Sequence, residues 1–154
     1  MEPRKIKNGL YWVGAVDWDR RLFDDLIPLP DGTSYNAYLI QGSEKTALID
    51  TVDPTMSDVL LDRLSQLNIE RIDYVIANHA EQDHSGTLPQ VLERYPEAQV
   101  VCTPKCKGML VDMLLAPEDR VLAVDDGATL SLGDRTLEFI HAPWVHWPET
   151  MLTY

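Results

Sequence analysis

Two imidazoles and two carboxylates occur within the six residues 79–84. They belong to His79, Glu81, Asp83 and His84. An apolar run at 72–77 comes before them, and a helix-compatible run at 87–95 follows. Imidazole and carboxylate together suit zinc, iron or manganese, and the lack of cysteine disfavours an iron–sulfur or cysteine-rich zinc site. The segment therefore predicts a metal site in the loop between a strand and a helix.

Helix capping is the simpler explanation of the same residues. Aspartate and serine favour the first turn of a helix, which would account for Asp83 or Ser85. Capping does not explain two histidines and Glu81 side by side in a chain that has four histidines in total. We therefore interpret the segment as a set of metal ligands.

The spacing of these residues favours two metal positions. Alternate residues of an extended chain face the same side, so His79, Glu81 and Asp83 could share one pocket. His84 would point elsewhere unless the chain turns. One turning loop could then serve two metals, with His79 and Glu81 on the first and the adjacent Asp83–His84 pair on the second.

A second candidate ligand lies in the segment 141–151. His146 stands between two prolines and is flanked by Trp144 and Trp147. Taken alone, this histidine would be interpreted as packed among aromatic side chains. Beside the first motif, we predict that His146 is the distant ligand of a site built from loops. For His141, at the end of a predicted strand, we expect a structural hydrogen bond instead.

The two motifs together resemble the flavodiiron proteins, also called A-type flavoproteins, which have the metallo-β-lactamase-like fold. The shared patterns are His-x-Glu-x-Asp-His at 79–84 and His-Trp-Pro-Glu-Thr-Met at 146–151. Ordinary hydrolases of this fold carry His-x-His-x-Asp-His, so Glu81 replaces their second histidine. A carboxylate there adds negative charge and shifts the metal preference from zinc toward iron or manganese.

The resemblance implies an α/β (α+β) fold, a metallo-β-lactamase-like αββα sandwich that is incomplete in this chain. It implies that residues 1–154 are the N-terminal part of a diiron domain. One iron would be bound by His79, Glu81 and His146, and the other by Asp83 and His84. The bridging aspartate and a further histidine would follow Tyr154, and FMN would be bound by a flavodoxin-like domain that is absent here.

The function implied is a non-haem diiron oxidoreductase that reduces dioxygen to water, nitric oxide to nitrous oxide, or both. Rubredoxin or a reductase would donate the electrons. A metal-dependent hydrolase and a dioxygen-binding diiron sensor remain alternatives, and Glu81 argues against the hydrolase. The stretch Phe23-Asp24-Asp25-Leu26 stands where many members have Phe-His-Gly-Tyr, so the preferred gas is left open. We expect residues 1–154 alone to bind iron weakly and to reduce neither gas.

Composition narrows the choice of partners. The chain has 25 acidic and 13 basic side chains and a formal charge of −12, without a basic patch, which disfavours nucleic-acid binding. The polar start at 1–8 does not resemble a signal peptide, and no apolar run is long enough to span a membrane. Cys102 and Cys106 fit reduced thiols. We expect a cytoplasmic protein, and the resemblance adds a homo-oligomer.

Strands and helices are predicted from hydrophobic periodicity and from turn residues. Strands are expected near 9–16, 36–41, 46–51, 72–78, 99–102, 128–132, 135–140 and 151–154. Helices are expected from Asp53-Pro54 onward, near 85–95 and near 105–115. Asp50 ends a predicted strand and could lie near the metal site, with a capping or turn role equally open.

Overall fold

The computed structural model describes residues 2–154, and the strands and helices below are those of this part of the chain. The strands are β1 (Arg4–Lys7), β2 (Leu10–Trp12), β3 (Ala15–Asp17), β4 (Leu22–Phe23), β5 (Ile27–Pro28), β6 (Thr33–Tyr35), β7 (Tyr38–Gln41), β8 (Thr46–Ile49), β9 (Tyr74–Ile76), β10 (Gln99–Cys102), β11 (Val121–Ala123), β12 (Thr129–Ser131), β13 (Thr136–His141) and β14 (Met151–Thr153). The α-helices are α1 (Ser57–Gln66), α2 (Gln82–Ser85), α3 (Leu88–Arg94) and α4 (Pro104–Leu114). Single turns of 3-10 helix cover Pro54–Met56 and Glu118–Arg120.

A seven-stranded mixed sheet forms the centre of the fold, in the order β1-β2-β7-β8-β9-β10-β11. Its first four strands pair antiparallel, and β8, β9, β10 and β11 pair parallel. A second sheet, β12-β13-β14, is antiparallel. In a parallel pair the carboxyl ends of the strands meet at one edge, and polar loops there are the usual place for a binding site. The residues that follow β8 and β9 therefore lie beside each other.

The two faces of the large sheet are covered differently. Helices α1, α3 and α4 pack on one face, where they bury Leu60, Leu64, Leu88, Val91 and Leu110. The second sheet packs on the other face, where the two sheets bury Ile49, Ile76, Val101, Leu137, Phe139 and Met151. The layers are thus helix, sheet and sheet. Within residues 2–154 the outer helix layer of the predicted αββα sandwich is not present.

The single strand predicted at 9–16 is wrong, because the chain breaks between β2 and β3. The backbone N–H groups of Val13 and Gly14 both donate to the carbonyl of Ala37, at 2.8 and 3.2 Å. A Cβ on Gly14 would lie 2.0 Å from the carbonyl oxygen of Tyr35, so only glycine allows this close approach. The strand predicted at 36–41 likewise begins later, as β7.

The helix predicted at 85–95 is present as α3, but a separate short helix, α2, precedes it and was not predicted. A Cβ on Gly86 would lie 2.5 Å from Cδ of Pro54, so the chain packs closely at this point. The side chain of Thr87 then donates to the carbonyl of Val52 at 2.8 Å, which ties the break to the neighbouring loop. As a result Asp83 and His84 lie on a short helix, not in the loop before one.

The remaining predicted elements are present with ends shifted by a few residues, as is usual for element boundaries. Cys102 and Cys106 are buried and carry free thiols. None of the helices in residues 2–154 is both long enough and apolar enough to cross a bilayer.

Candidate metal centre

Three chain segments meet at the carboxyl edge of the large sheet. They follow β8, β9 and β13, and backbone hydrogen bonds hold them together. The N–H of Asp50 donates to the carbonyl of Ile76 at 2.8 Å, and the N–H of Met151 donates to the carbonyl of Asn78 at 2.9 Å. The parallel pairing of β8 and β9 places the first two segments side by side, and the packing of the second sheet brings in the third.

The first group of candidate ligands consists of His79, Glu81 and His146. Oε2 of Glu81 lies 3.0 Å from Nε2 of His79 and 3.4 Å from Nε2 of His146. One ligand atom from each residue can be chosen so that all three lie within 4.8 Å of one another. His79 and Glu81 are buried, whereas the side chain of His146 is 68% exposed. Two imidazole nitrogens and a carboxylate oxygen therefore converge where the site opens to solvent.

Asp83 and His84 form a second group beside the first. The chain turns at Glu81, which precedes the first turn of α2, and this turn carries His84 back toward His79. The two imidazole rings lie 5.2 Å apart between centroids. Nε2 of His84 is 3.6 Å from Oδ2 of Asp83. The two groups therefore lie close enough to serve two neighbouring metal positions.

A buried carboxylate contacts each of the two imidazoles that are less exposed than His146. Nδ1 of His79 lies 2.7 Å from Oε1 of Glu149, and Nδ1 of His84 lies 3.1 Å from Oδ2 of Asp50. A metal bound at Nε2 of each ring would leave the ring proton on Nδ1, where the carboxylate oxygen can accept it. Carboxylate–histidine pairs of this kind are typical of metal sites.

Asp50 is held in an unusual backbone conformation. Its φ is +55°, in the left-handed region that non-glycine residues seldom adopt. Its Oδ1 accepts a hydrogen bond from the N–H of Asn78 at 2.8 Å while its Oδ2 faces His84. Strain of this kind persists where surrounding contacts fix the residue, and it is concentrated at functional sites.

The electrostatics of the second group reflect crowding of like charges. Burial raises the pKa of Asp83, and the nearby charge of Glu81 raises it further, against the opposing effect of His84. Burial alone would lower the pKa of His84, but the hydrogen bond and charge of Asp50, with Asp83 and Glu81, raise it overall. A cation placed among these carboxylates would relieve their repulsion.

Trp147 and His146 pack against the ring of His79, whereas His141 lies outside both ligand groups. The ring of Trp147 packs edge-on against His79, with centroids 5.0 Å apart and planes at 87°. The ring of His146 lies 4.9 Å from that of His79. Nε2 of His141 lies 3.0 Å from the carbonyl oxygen of Val124, outside both groups, which is the structural hydrogen bond expected from the sequence.

The residues of the two groups fit a metal cation. Oδ1 of Asp83 is buried and has no hydrogen-bond partner among residues 2–154, so it is an acceptor without a donor. Glu81 presents one oxygen to two imidazole nitrogens at the same time. A mixed set of imidazole and carboxylate donors is the type that iron, manganese and zinc bind.

Glu149 is the member of this site that sequence reasoning did not single out. It lies in the predicted ligand segment, three residues after His146, and its side chain is fully buried. The available signal was its place in the shared pattern His-Trp-Pro-Glu-Thr-Met at 146–151, which marks the segment but does not show that Glu149 is buried against His79. Asp50 was noted as a candidate near the site, and it does contact His84.

Comparison with known proteins decides the family. The model of the family described as ODP family beta lactamase matches residues 33–154, which include both ligand groups. The chain belongs to this family. The candidate ligands of both metal positions therefore lie within the residues that match the family model.

Curated relatives of this ODP family chain are flavodiiron-type oxidoreductases. The coenzyme F420H(2) oxidase of Methanothermobacter marburgensis is 42% identical over 97% of this chain and 38% of the relative. The nitric oxide reductase of Moorella thermoacetica is 41% identical over 99% of this chain and 39% of the relative. The chain thus spans about two fifths of the length of the curated relatives it matches.

Solved structures agree on the fold. The flavodiiron protein from Giardia intestinalis superimposes with a TM-score of 0.92 at 37% identity, over 100% of this chain and 37% of that one. The rubredoxin oxygen:oxidoreductase of Desulfovibrio gigas superimposes with a TM-score of 0.92 at 35% identity, over 99% of this chain and 38% of that one. A B3 metallo-beta-lactamase superimposes with a TM-score of 0.77 at 17% identity, over 99% of this chain and 56% of that one. At this identity the likeness is one of fold alone. The predicted flavodiiron resemblance and metallo-β-lactamase-like fold are confirmed.

Proposed function

We propose that this chain provides ligands of a diiron centre in an oxidoreductase that reduces dioxygen to water, nitric oxide to nitrous oxide, or both. The observation that carries the proposal is the position of Glu81, whose Oε2 lies between Nε2 of His79 and Nε2 of His146 at 3.0 and 3.4 Å. A carboxylate at this point stabilises a metal in a higher oxidation state, and zinc has no redox chemistry. The names of two relatives, an oxidase and a nitric oxide reductase, support the same reaction class.

The proposed ligand assignment follows the two groups. His79, Glu81 and His146 bind one iron, and Asp83 and His84 contribute to the other. The domain assignment also remains a proposal, with residues 1–154 as the N-terminal part of the diiron domain and FMN on a flavodoxin-like domain outside them. The electron donor is a protein such as rubredoxin or a reductase, as in the oxygen reductase of Desulfovibrio gigas, whose name includes rubredoxin.

The stoichiometry sets what the centre must supply. Reduction of dioxygen to two waters takes four electrons and four protons, and reduction of two nitric oxides to nitrous oxide and water takes two of each. Two irons held by these residues would supply Lewis acidity and electrons for the diatomic gas, and a flavin would be the source of replacement electrons. Electron delivery in pairs from an adjacent donor therefore suits both reactions.

The residues of this chain prepare the site for that chemistry. Glu81 places negative charge beside two imidazole nitrogens, which favours the ferric state. Glu149 and Asp50 contact Nδ1 of His79 and His84, and they orient the rings so that both Nε2 atoms face the metal positions. Trp147 covers the ring of His79 on one side, while the exposed ring of His146 leaves a small molecule a way in from solvent.

The test is metal analysis combined with gas consumption. Protein that carries residues 1–154 together with the remaining ligands of the centre, made in iron-sufficient medium, should contain iron in excess over zinc. It should consume dioxygen or nitric oxide at an electrode when a reduced flavoprotein donor is supplied. Glu81→His should shift the bound metal toward zinc and abolish gas consumption, while Glu70→Gln, an exposed glutamate, should change neither.

Two outcomes would oppose the proposal. Stoichiometric zinc together with ester hydrolysis in the unmodified protein would support the hydrolase alternative. Iron that binds the gas without turnover, even with a donor present, would support the dioxygen sensor.

A further inference from the structure

We propose that Glu149 is a positioning residue for the first metal position: it fixes the ring of His79 and fastens the segment that carries His146. The inference rests on the proposed metal-binding function and adds a residue to it. Glu149 has a fully buried side chain, and its Oε1 lies 2.7 Å from Nδ1 of His79 and accepts from the N–H of Ala80 at 3.1 Å. One oxygen therefore contacts both the ring of His79 and the backbone N–H of the residue that follows it.

The backbone of Glu149 is itself fixed from a third direction. Its carbonyl accepts a hydrogen bond from Oγ1 of Thr103 at 2.9 Å. Thr103 also caps α4, because the same Oγ1 accepts from the N–H of Cys106 at 3.1 Å. Thr103 is buried, so this anchor belongs to the packed body of the protein. Glu149 thus connects the start of a long helix to the loop that follows β9.

This connection also determines where His146 lies. The segment 142–150 is closed by its own hydrogen bonds, from the N–H of Ala142 to the carbonyl of Thr150 and from the N–H of Trp144 to the carbonyl of Trp147. The ring of His146 is 68% exposed and gains little support from packing. The attachment of residue 149 to His79 and Ala80 therefore keeps the segment, and His146 with it, against the first ligand residue.

Burial makes Glu149 more important than its counterpart Asp50. The side chain of His84 is 35% exposed, so water can partly replace the hydrogen bond to Asp50. The side chains of His79 and Glu149 are 5% and 0% exposed, so bulk water does not compete for this contact in the folded protein. Loss of such a partner typically lowers metal affinity about 10–100-fold.

The experiment uses three variants of the whole chain. Glu149→Ala removes both hydrogen bonds and the charge. Glu149→Gln keeps an oxygen acceptor for His79 and Ala80 but removes the charge, and Glu138→Gln is a matched change of an exposed glutamate. The readouts are the ring ¹⁵N chemical shifts of His79 in metal-free protein, the affinity for Co²⁺ by optical titration, and the reduction potential of bound iron.

We expect Glu149→Ala to lose the Nδ1–H form of His79 and to bind Co²⁺ about 10–100-fold more weakly. Glu149→Gln should keep that form, bind Co²⁺ with a smaller loss and raise the reduction potential, because an anionic partner no longer stabilises the ferric state. Glu138→Gln should match the unmodified protein in the ring form of His79, the Co²⁺ affinity and the reduction potential.

The inference would be overturned by a Glu149→Ala protein with an unchanged His79 ring form and unchanged Co²⁺ affinity. Should Glu149→Ala fail to fold, a Glu149→Gln protein identical to the unmodified one in both affinity and potential would overturn it equally. The ring form and Co²⁺ affinity need neither iron nor gas turnover. Failure of the proposed reaction with these two readouts intact would therefore refute the reaction and not the role of Glu149.

Discussion

Asp50 and Asp53 are buried carboxylates three residues apart, and they belong to two different clusters. Asp50 faces His84 in the candidate metal centre. Asp53 belongs to a group that we name the Asp17 cluster, which also contains Asp17, Arg20 and Tyr35. Both clusters bury several ionisable groups close together. They differ in whether those groups satisfy one another.

In the Asp17 cluster the carboxylate oxygens all have partners. Oδ1 of Asp17 accepts from the N–H of Arg20 at 3.0 Å, and its Oδ2 accepts from the hydroxyl of Tyr35 at 3.2 Å. Oδ1 of Asp53 accepts from the N–H of Thr55 at 2.9 Å, and its Oδ2 pairs with Nη1 of Arg20 at 3.5 Å. A fully satisfied buried network stiffens the fold.

In the metal centre two carboxylate oxygens have no such partner. Oδ1 of Asp83 and Oε2 of Glu149 are buried and accept no hydrogen bond from residues 2–154. Leaving a buried acceptor unpaired is unfavourable, so a protein retains it where a ligand or a function requires it. Burial of charge alone therefore does not identify a site, whereas unsatisfied acceptors beside imidazoles do.

The largest effect is expected from His79→Ala. It removes a nitrogen ligand from the first position, so metal at that position should be lost, and His146→Ala should act in the same way. Metal content per chain by elemental analysis is the measurement. A full metal complement in either variant would show that the ligand assignment is wrong.

Asp17→Ala should affect stability and leave metal unchanged. The variant leaves the hydroxyl of Tyr35 without its acceptor, and loss of such buried bonds to a charged group is expected to lower the free energy of unfolding by about 1–3 kcal/mol. Urea unfolding of the metal-free protein measures this. Asp19→Ala, an exposed neighbour, is the matched control and should change stability little. A loss of metal from Asp17→Ala would remove the distinction between the two clusters.

Tyr35→Phe should change the response of stability to alkaline pH. Burial, and then the charge of Asp53, raise the pKa of Tyr35 to about 12. The unfolded chain loses this proton near pH 10, so the stabilising contribution is complete below pH 10 and is lost as the pH rises through 12. The free energy of unfolding should therefore fall less steeply from pH 10 to 12 in Tyr35→Phe. If the free energy of unfolding fell with the same slope from pH 10 to 12 in both proteins, the raised pKa of Tyr35 in the folded state would be contradicted.

The smallest effect is expected from His141→Ala. Its ring contacts the carbonyl of Val124 outside both ligand groups, so metal content should stay unchanged. Loss of this one hydrogen bond should lower the free energy of unfolding by about 1 kcal/mol. Metal loss comparable to that of His79→Ala would mean that the wrong histidine had been assigned.

The sequence predicted the fold through its long periodic segments. The strands before Asp50 and His79 and the helix at α4 were expected near their observed positions. The break between α2 and α3 was not expected, because it depends on the approach of Pro54 to Gly86 and on the bond from Thr87 to Val52. Contacts of this kind join residues about 30 positions apart, which local periodicity does not record.

Short or polar strands were also missed. Strand β1 is exposed at all four positions and consists of three basic residues and one isoleucine, so it has no apolar alternation. Strand β11 covers three residues and is fixed by parallel pairing with β10. In both cases the neighbouring strand, and not the segment itself, determines the structure.

The candidate ligands were named from the sequence because their residue types are rare and closely spaced. Of their two supporting carboxylates, Asp50 was noted only as a residue that could lie near the site, and Glu149 was not singled out, because the partners of a side chain depend on tertiary packing. Glu149 contacts His79 across 70 positions, and Asp50 contacts His84 across 34. The residues that bind are thus more readable in a sequence than the residues that orient them.

The left-handed backbone of Asp50 limits how far this protein can be stabilised by redesign. Glycine would adopt a φ of +55° without strain, so Asp50→Gly relieves a conformation that is expected to cost of order 1–3 kcal/mol. The same change removes the carboxylate that faces His84. A screen for thermal stability alone could therefore select glycine here while it weakens the second metal position. At this residue the backbone conformation causes a trade-off between stability and metal binding.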